Sequence, residues 1–241
     1  MKIVCLGTGT MGSITRGNQS ILVDDVLFDI GSGVVKKIEA MKIYTKAVKY
    51  LIITHAHADH FVDLPNYLIG RNIRRENKET LNIICGKGIR EKVIKLFELC
   101  FGDGNKNKYK NFEEGFNVKF IELENEESFQ DENIKITAYD LEHGKCKPIM
   151  GYILEKNNKK IGYATDTILC ENVKKICEES EYAFLDSTNT IPTGMHMGVE
   201  EVIWLSKEYP NCKIYAIHRS DYVHNHIKEI DFPEDEDVIE I

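Results

Sequence analysis

One segment restricts the fold of this chain more than any other. A short apolar run, Tyr50–Thr54, is followed directly by the segment His-Ala-His-Ala-Asp-His at residues 55–60. The run predicts a buried strand. In extended backbone, residues i and i+2 point the same way, so the first two histidines can bind one metal together. A helix after the strand would redirect the aspartate and the last histidine toward a second metal, and such ligands suit Zn²⁺, Fe or Mn²⁺.

The alternative interpretation of this segment is a histidine-rich surface turn in which Asp59 only caps a helix. A cap needs one Asp or Ser and no histidine, which favours the metal site. Three more side chains of the same types lie just beyond the carboxyl ends of predicted strands, where ligand sites of α/β sheets gather. They are His143 after residues 134–139, Asp166 after residues 160–164, and His218 after residues 213–217.

The order of predicted elements indicates an α/β sandwich. A hairpin (20–23 and 26–30) precedes predicted helices at 34–42, at 61–75 with a kink at Pro65, and at 89–99. A second hairpin (151–154 and 160–164) precedes a strand at 183–185 and a helix at 199–208. Residues 102–117 are interpreted as a loop and 238–241 as a last strand. Two similar β-rich halves flanked by helices follow from this order. No linker suggests a boundary, so one domain over 1–241 is expected.

Composition limits the setting and the partners. Seven scattered cysteines without a Cys-x-x-Cys pair predict reduced thiols. The net charge of −8 argues against a broad nucleic-acid footprint. It still allows an anionic substrate held by metal ions. No apolar run approaches the roughly 20 residues of a membrane span. The N-terminus turns to glycine at Gly7, too early for a signal peptide, so we expect a cytoplasmic protein without a membrane segment.

The histidines and aspartates, taken in chain order, resemble those of the metallo-β-lactamase superfamily over nearly the whole length. The resemblance implies a four-layer αββα sandwich. It also implies that His55, His57 and His143 bind one metal, that Asp59, His60 and His218 bind the other, and that Asp166 bridges both. The implied cofactors are two divalent ions, zinc first, with manganese or iron as alternatives.

Two further patterns are similar to the ribonuclease Z-like phosphodiesterase branch: Leu6-Gly7-Thr8-Gly9 followed by Arg16–Ser20, and Gly194-Met195-His196. The resemblance places His196 near the scissile phosphate, where it would assist proton transfer or contact the phosphate. The alternative is a helix-start residue without a chemical role. His196 and Asp59 are therefore the predicted catalytic residues. The resemblance also suggests a homodimer.

The chain departs from ribonuclease Z at two places. Those enzymes usually carry a long tRNA-binding arm between the third histidine and the bridging aspartate. Here only residues 144–165, which are 22 residues, separate His143 from Asp166. In addition, Asp186 stands where those enzymes often have glutamate. Both departures weigh against tRNA processing and favour a smaller phosphodiester, such as a cyclic nucleotide or a phospho-metabolite.

The expected function is that of a binuclear metal-dependent hydrolase. A metal-bridging hydroxide would attack a small or single-stranded phosphodiester. Partners are then an anionic small molecule or a short nucleic acid. One alternative is a thioester-, lactone- or lactam-type hydrolase of the same fold. Another is a tRNA 3′-processing endonuclease that lacks the arm. A redox metal protein is disfavoured, because such members typically carry glutamate where this chain has His57.

Three weaker patterns are interpreted as structural or surface features without a chemical role. Gly7-x-Gly9-x-x-Gly12 matches a dinucleotide fingerprint, but a hairpin follows it where a helix is required. The glycines then serve a tight turn. A basic group, defined by Arg71, Arg74, Arg75 and Lys78, is interpreted as a solvated helix face, with contact to substrate phosphates as the alternative. His224 and His226 are interpreted as surface histidines, with a role at the rim of the site as the alternative.

Overall fold

The computed structural model describes residues 1–102, 111–223 and 227–241. The strands are β1 (Lys2–Gly7), β2 (Ser20–Val23), β3 (Val26–Phe28), β4 (Tyr50–Ile53), β5 (Leu81–Gly86), β6 (Val118–Leu123), β7 (Ser128–Gln130), β8 (Lys135–Asp140), β9 (Met150–Lys156), β10 (Lys159–Ala164), β11 (Tyr182–Asp186), β12 (Lys213–Ile217) and β13 (Val238–Glu240). The helices are α1 (Val34–Ala40), α2 (Ala58–Phe61), α3 (Leu64–Ile73), α4 (Ile89–Phe101), α5 (Phe112–Phe116), α6 (Glu171–Glu179) and α7 (Val199–Glu208), with a short 3₁₀ turn at Thr45–Ala47. In these ranges, no helix combines the length and the apolar character needed to cross a membrane.

The strands form two sheets. The first has the order β13-β1-β2-β3-β4-β5-β6, and the second has the order β12-β11-β10-β9-β8-β7. In the first sheet β3, β4, β5 and β6 run parallel to one another, and in the second β10, β11 and β12 do so. Parallel strands send their carboxyl ends to the same edge. The loops after β10, β11 and β12 therefore lie at one edge of the second sheet, and the loop after β4 lies at one edge of the first. These loops carry most of the predicted ligands.

The core is divided into three apolar clusters by the two sheets. In β4, Tyr50 and Ile52 face the second sheet, whereas Leu51 and Ile53 face the helices α1, α3 and α4. The outer face of the second sheet packs against α6 and α7. Because both faces of the strands are covered, their sequences read as continuous apolar runs without a polar face. The layers are thus helix, sheet, sheet, helix, which confirms the predicted αββα sandwich.

The predicted elements are largely confirmed, and the exceptions have local causes. Pro65 does not kink a single helix. The helical segment is interrupted between α2 and α3, and Pro65 lies in the first turn of α3, where its missing N–H removes no helical hydrogen bond. Part of the predicted loop at 102–117 forms α5, because Phe112 and Phe116 are one turn apart and both are buried. The sequence interpretation also missed α6, whose buried positions Val173, Ile176 and Cys177 follow the helical period.

Gly31, just beyond β3, lies against the backbone of α2. A Cβ at this position would stand 1.7 Å from the backbone oxygen of Asp59. The two segments are also joined by a hydrogen bond of 2.7 Å from the Ile30 N–H to the His60 carbonyl. Only glycine permits this approach, which sets where Asp59 and His60 stand relative to the strand ends.

We expect Gly31→Ala to destabilise the protein by about 1–3 kcal/mol or more, because the backbone of Asp59 must move. This loss corresponds to a melting temperature lower by roughly 2–12 °C, measured by thermal unfolding. Gly194→Ala is the matched control, since a Cβ there meets no atom within 4 Å. Equal melting temperatures for the two variants would show that Gly31 does not hold this contact.

Candidate metal centre

Among the described residues, three groups of ligand-type side chains form at the carboxyl ends of the strands. Two of them share Asp166, and the third consists of Asp186, His196 and His218. In each group the ligand atoms all lie within 4.8 Å of one another. Group 1 consists of His55, His57, His143 and Asp166. Group 2 consists of Asp59, His60, Asp166 and His218. All seven residues assigned to metals in the sequence are therefore brought together, divided as the resemblance implies.

The Asp166 carboxylate stands between the two groups. Its Oδ2 lies 3.8 Å from Nε2 of both His55 and His143. Its Oδ1 lies 3.1 Å from Nε2 of both His60 and His218. One oxygen thus faces each group. Asp59 faces group 2 alone, with its Oδ2 3.5 Å from His60 Nε2 and 3.7 Å from His218 Nε2.

The donor set fits divalent ions. Among the described residues, Nε2 of His55 and Oδ1 of Asp59 are buried without a hydrogen-bond partner, and Nε2 of His60 and His218 face Asp166 Oδ1 at 3.1 Å without hydrogen-bond geometry. Buried polar atoms are rarely left unpaired, since the loss of water costs roughly 1–3 kcal/mol for each. Here the unpaired atoms all converge, and imidazole with carboxylate is a common donor set for zinc.

The pKa values of these groups in the metal-free chain differ sharply. Burial, together with the neighbouring His60, lowers the pKa of His55 well below its usual range. Burial would also lower the pKa of His60, but the carboxylates of Asp166 and Asp29 outweigh it and raise that pKa. For His218 the carboxylates outweigh burial as well, and its pKa rises to about 10. Burial would raise the pKa of Asp166, yet His218 and His60 hold it well below its usual range.

Asp29 supports the site from behind, a role that the sequence interpretation missed. It is fully buried, and its carboxylate accepts hydrogen bonds from the Thr54 N–H and hydroxyl at 2.9 and 3.0 Å. The same carboxylate bonds His60 Nδ1 at 2.9 Å and accepts the Tyr163 hydroxyl at 3.3 Å. An aspartate inside the apolar stretch Val26–Ile30 was the available signal, since a buried carboxylate is informative in itself.

His196 stands at the mouth of the site. Its Nδ1 lies 2.8 Å from Oδ2 of the buried Asp186, and its side chain remains 19% exposed. Its ring centroid is 4.7 Å from that of His143 and 5.4 Å from that of His218. The Asp186 carboxylate thus holds the Nδ1 edge of the His196 ring. The ring lies next to His143 of group 1 and His218 of group 2. Burial would raise the pKa of Asp186, but the hydrogen bond from His196 lowers it.

Three residues of the site have left-handed backbone. Asp29, Asp166 and His218 have φ values of 57°, 55° and 54°, and each begins a turn directly after a strand or shortly beyond it. Non-glycine residues rarely adopt this region, and they do so mainly where the surroundings fix them. The strand ends are therefore bent so that these side chains point into the site.

The structure shows the surroundings of the glycines and of the basic group that the sequence singled out. Gly7 and Gly9 permit close backbone contact, because a Cβ on Gly7 would stand 2.0 Å from the Asn18 carbonyl oxygen, and strand β2 follows them. In the basic group, Arg74 pairs with Glu39 and Glu76, whereas Arg71 is buried and donates to the Glu79 carbonyl. His224 and His226 lie outside the described residues.

Comparisons with known proteins agree with this architecture. A family model described as Anti-Pycsar protein Apyc1 matches residues 1–234. A ribonuclease Z of Staphylococcus carnosus is 28% identical over 163 residues, which cover 64% of this chain and 49% of that protein. The chain spans about half the length of the curated relatives it matches.

Two solved structures share the fold at low identity. The short form of human tRNase Z has a TM-score of 0.78 and 21% identity, covering 100% of this chain and 99% of that one. The metallo-β-lactamase fold protein YhfI of Bacillus subtilis has a TM-score of 0.80 and 16% identity, covering 99% and 98%. The metallo-β-lactamase fold and the resemblance to ribonuclease Z are thereby confirmed.

Metal binding should release protons from this site. In the metal-free chain the raised pKa values keep His60 and His218 protonated at neutral pH, whereas metal ligands must be deprotonated. We expect release of about two protons on loading with Zn²⁺ at about pH 8. The apparent affinity should rise with pH until about pH 10, where His218 loses its proton without the metal.

Calorimetry in buffers of different ionisation enthalpy measures the number of protons released. His218→Ala is the matched variant, and it should release about one proton fewer if it still binds metal. A binding enthalpy that is the same in all buffers would contradict the assigned protonation.

Proposed function

This chain belongs to the Anti-Pycsar protein Apyc1 family, and we propose that it is a two-metal phosphodiesterase that acts on a small phosphodiester. The observation that carries the proposal is the pair of ligand groups that share Asp166. The two groups would hold one divalent ion each, with zinc as the first candidate. His55, His57 and His143 would bind one ion, Asp59, His60 and His218 the other, and Asp166 both.

The charges of these residues suit a phosphodiester. When bound, two divalent ions would supply a hydroxide nucleophile near neutral pH and offset negative charge that develops on phosphorus oxygens. Asp59 and Asp166 contribute two negative charges against the four positive charges of such ions. The imidazole ligands are neutral when they bind. The remaining positive charge is enough to attract a monoanionic phosphodiester without holding its product as tightly as a wholly cationic site would.

His196 is proposed as the proton donor to the leaving oxygen. Its Nδ1 is bonded to Asp186, so its Nε2 is the ring nitrogen left to face a substrate. A buried carboxylate behind an imidazole fixes the orientation of the ring, which is what a general acid requires. The partial exposure of His196 fits a residue that a substrate can reach.

The chain between His143 and Asp166 supports a small substrate. Strands β9 and β10 occupy residues 150–156 and 159–164, and only Asn157 and Asn158 lie between them. Every residue of this interval is described, and the tight hairpin leaves no extended arm for tRNA. The names of the curated relatives point to RNA cleavage, so a short single strand remains in the proposed class beside a cyclic nucleotide.

A substrate panel tests the class. The metal-loaded protein should hydrolyse bis-p-nitrophenyl phosphate and a nucleoside cyclic phosphate, and metal removal by a chelator should abolish both activities. A thioester, a lactam and a precursor tRNA complete the panel. Turnover of the thioester or lactam without any phosphodiester turnover would refute the proposal, and preferential tRNA cleavage would refute the small substrate. His57→Ala is the inactive control.

Two substrates with different leaving groups distinguish proton donation by His196 from a simple phosphate contact. His196→Ala should slow hydrolysis of a nucleoside cyclic phosphate roughly 10²–10⁴-fold in kcat, because its alkoxide leaving group needs a proton. Hydrolysis of bis-p-nitrophenyl phosphate should slow far less, because p-nitrophenolate leaves without one. Metal content, measured in parallel, should stay that of the wild type. Equal losses with both substrates, or a loss confined to KM, would indicate a phosphate contact and no proton transfer.

A further inference from the structure

Two buried carboxylates hold the site through the same chemical arrangement. Asp29 accepts hydrogen bonds from both the N–H and the hydroxyl of Thr54, at 2.9 and 3.0 Å. The Thr54 hydroxyl also lies 3.0 Å from Nδ1 of the group 1 ligand His55. In addition, Asp29 directly bonds Nδ1 of a second histidine, His60, at 2.9 Å.

Asp186 repeats this arrangement in the other sheet. It accepts hydrogen bonds from both the N–H and the hydroxyl of Thr188, at 3.0 and 2.7 Å. The Thr188 hydroxyl lies 3.0 Å from Nδ1 of the group 2 ligand His218. Asp186 also directly bonds a second histidine, His196, at 2.8 Å. Both carboxylates are fully buried.

The two arrangements are not copies in chain order. Thr54 follows β4, the strand that also leads to its histidine, His55. Thr188 follows β11, the strand that carries its carboxylate, whereas His218 follows β12. The same contacts are therefore reached by different connections, and a simple repeat of sequence does not account for them.

The direction of the hydrogen bonds determines which histidine nitrogen is free to bind a cation. A threonine hydroxyl has one proton, and an ionised carboxylate can only accept, so the proton points to Asp29 or Asp186. The oxygen of the hydroxyl then accepts from histidine Nδ1–H, and Nε2 keeps its lone pair for a cation. For Thr188 the His218 carbonyl, at 3.1 Å, is a second acceptor, but the carboxylate is closer at 2.7 Å and charged.

We propose that Thr54 and Thr188 are positioning residues. Each hydroxyl is held by a buried carboxylate and orients one metal-ligand histidine, Thr54 in group 1 and Thr188 in group 2. The inference rests on the proposed metal centre. It assigns the two threonines separate effects, because the histidine that Thr54 contacts is a member of group 1 and not of group 2, whereas the histidine that Thr188 contacts is a member of group 2 and not of group 1.

Isosteric variants test the assignment. Thr54→Val and Thr188→Val keep the backbone N–H and the side-chain shape but remove the hydroxyl. Zn²⁺ affinity is measured on the metal-free chain by competition with a chromophoric chelator. Each valine variant should bind one of two ions roughly 10- to 100-fold more weakly, while the other ion is unaffected. Thr54→Ser and Thr188→Ser should restore affinity, because serine supplies the same hydroxyl.

Thr137→Val is the matched control. Its hydroxyl contacts Ser128 between β7 and β8, away from both groups, so its Zn²⁺ affinity should equal that of the wild type. Melting temperatures of all metal-free variants show whether a loss of affinity follows a loss of folding. If a valine variant does not fold, the alanine variant at the same position takes its place.

The same threonine variants, made in a His57→Ala chain, show which of the two ions each threonine affects. His57→Ala removes a ligand of group 1 only. In that background Thr188→Val should still weaken the remaining ion, whereas Thr54→Val should have little further effect. A wild-type chain that binds no Zn²⁺ would refute the proposed metal centre. A wild type that binds two ions, with affinities that the valine variants leave unchanged, would overturn the positioning role alone. So would valine variants whose loss serine does not restore.

Discussion

The burial of the Asp166 carboxylate among imidazoles is the constraint on which the rest of the structure depends. A charged carboxylate removed from water is costly unless opposite charge compensates it. Without metal, protonated His60 and His218 provide that charge at 3.1 Å. Each sheet must deliver its strand ends to this one carboxylate, and the left-handed turn at Asp166 itself aims the side chain between the two groups.

Asp29 and Asp186 are also buried carboxylates, and hydrogen bonds compensate for their removal from water. Each is buried and accepts hydrogen bonds from a threonine N–H, a threonine hydroxyl and a histidine ring. Such fully satisfied networks fix side-chain orientation in a way that apolar packing cannot. They also link the two sheets, since the Tyr163 hydroxyl on β10 reaches Asp29 at the end of β3. The rigidity of the site is thus shared by both halves of the sandwich.

The connections between the strands surround the ligand groups. In this chain the β9–β10 hairpin occupies most of the interval between His143 and Asp166, and the His196 side chain stays partly exposed beside the ligand groups. The ligand groups determine the kind of bond that can be broken. Under the proposed function, the lengths of the loops around them limit the size of the substrate, and this is where the chain departs from the ribonuclease Z pattern.

The sequence by itself predicted most of the elements and the seven residues that the structure brings together in the two groups sharing Asp166. Histidine and aspartate at strand ends have a fixed chemistry, and apolar periodicity predicts buried strands such as β4 and β12 and helices such as α7. The sequence interpretation missed α6 and the support that Asp29, Thr54 and Thr188 give to the ligands. Several of those contacts join residues that are far apart in the chain: Asp29 lies 25 positions from Thr54 and 31 from His60, and Thr188 lies 30 from His218. Only the packing of two sheets decided which hydroxyl meets which imidazole, because hydrogen bonding depends on distances and directions that a linear pattern does not contain.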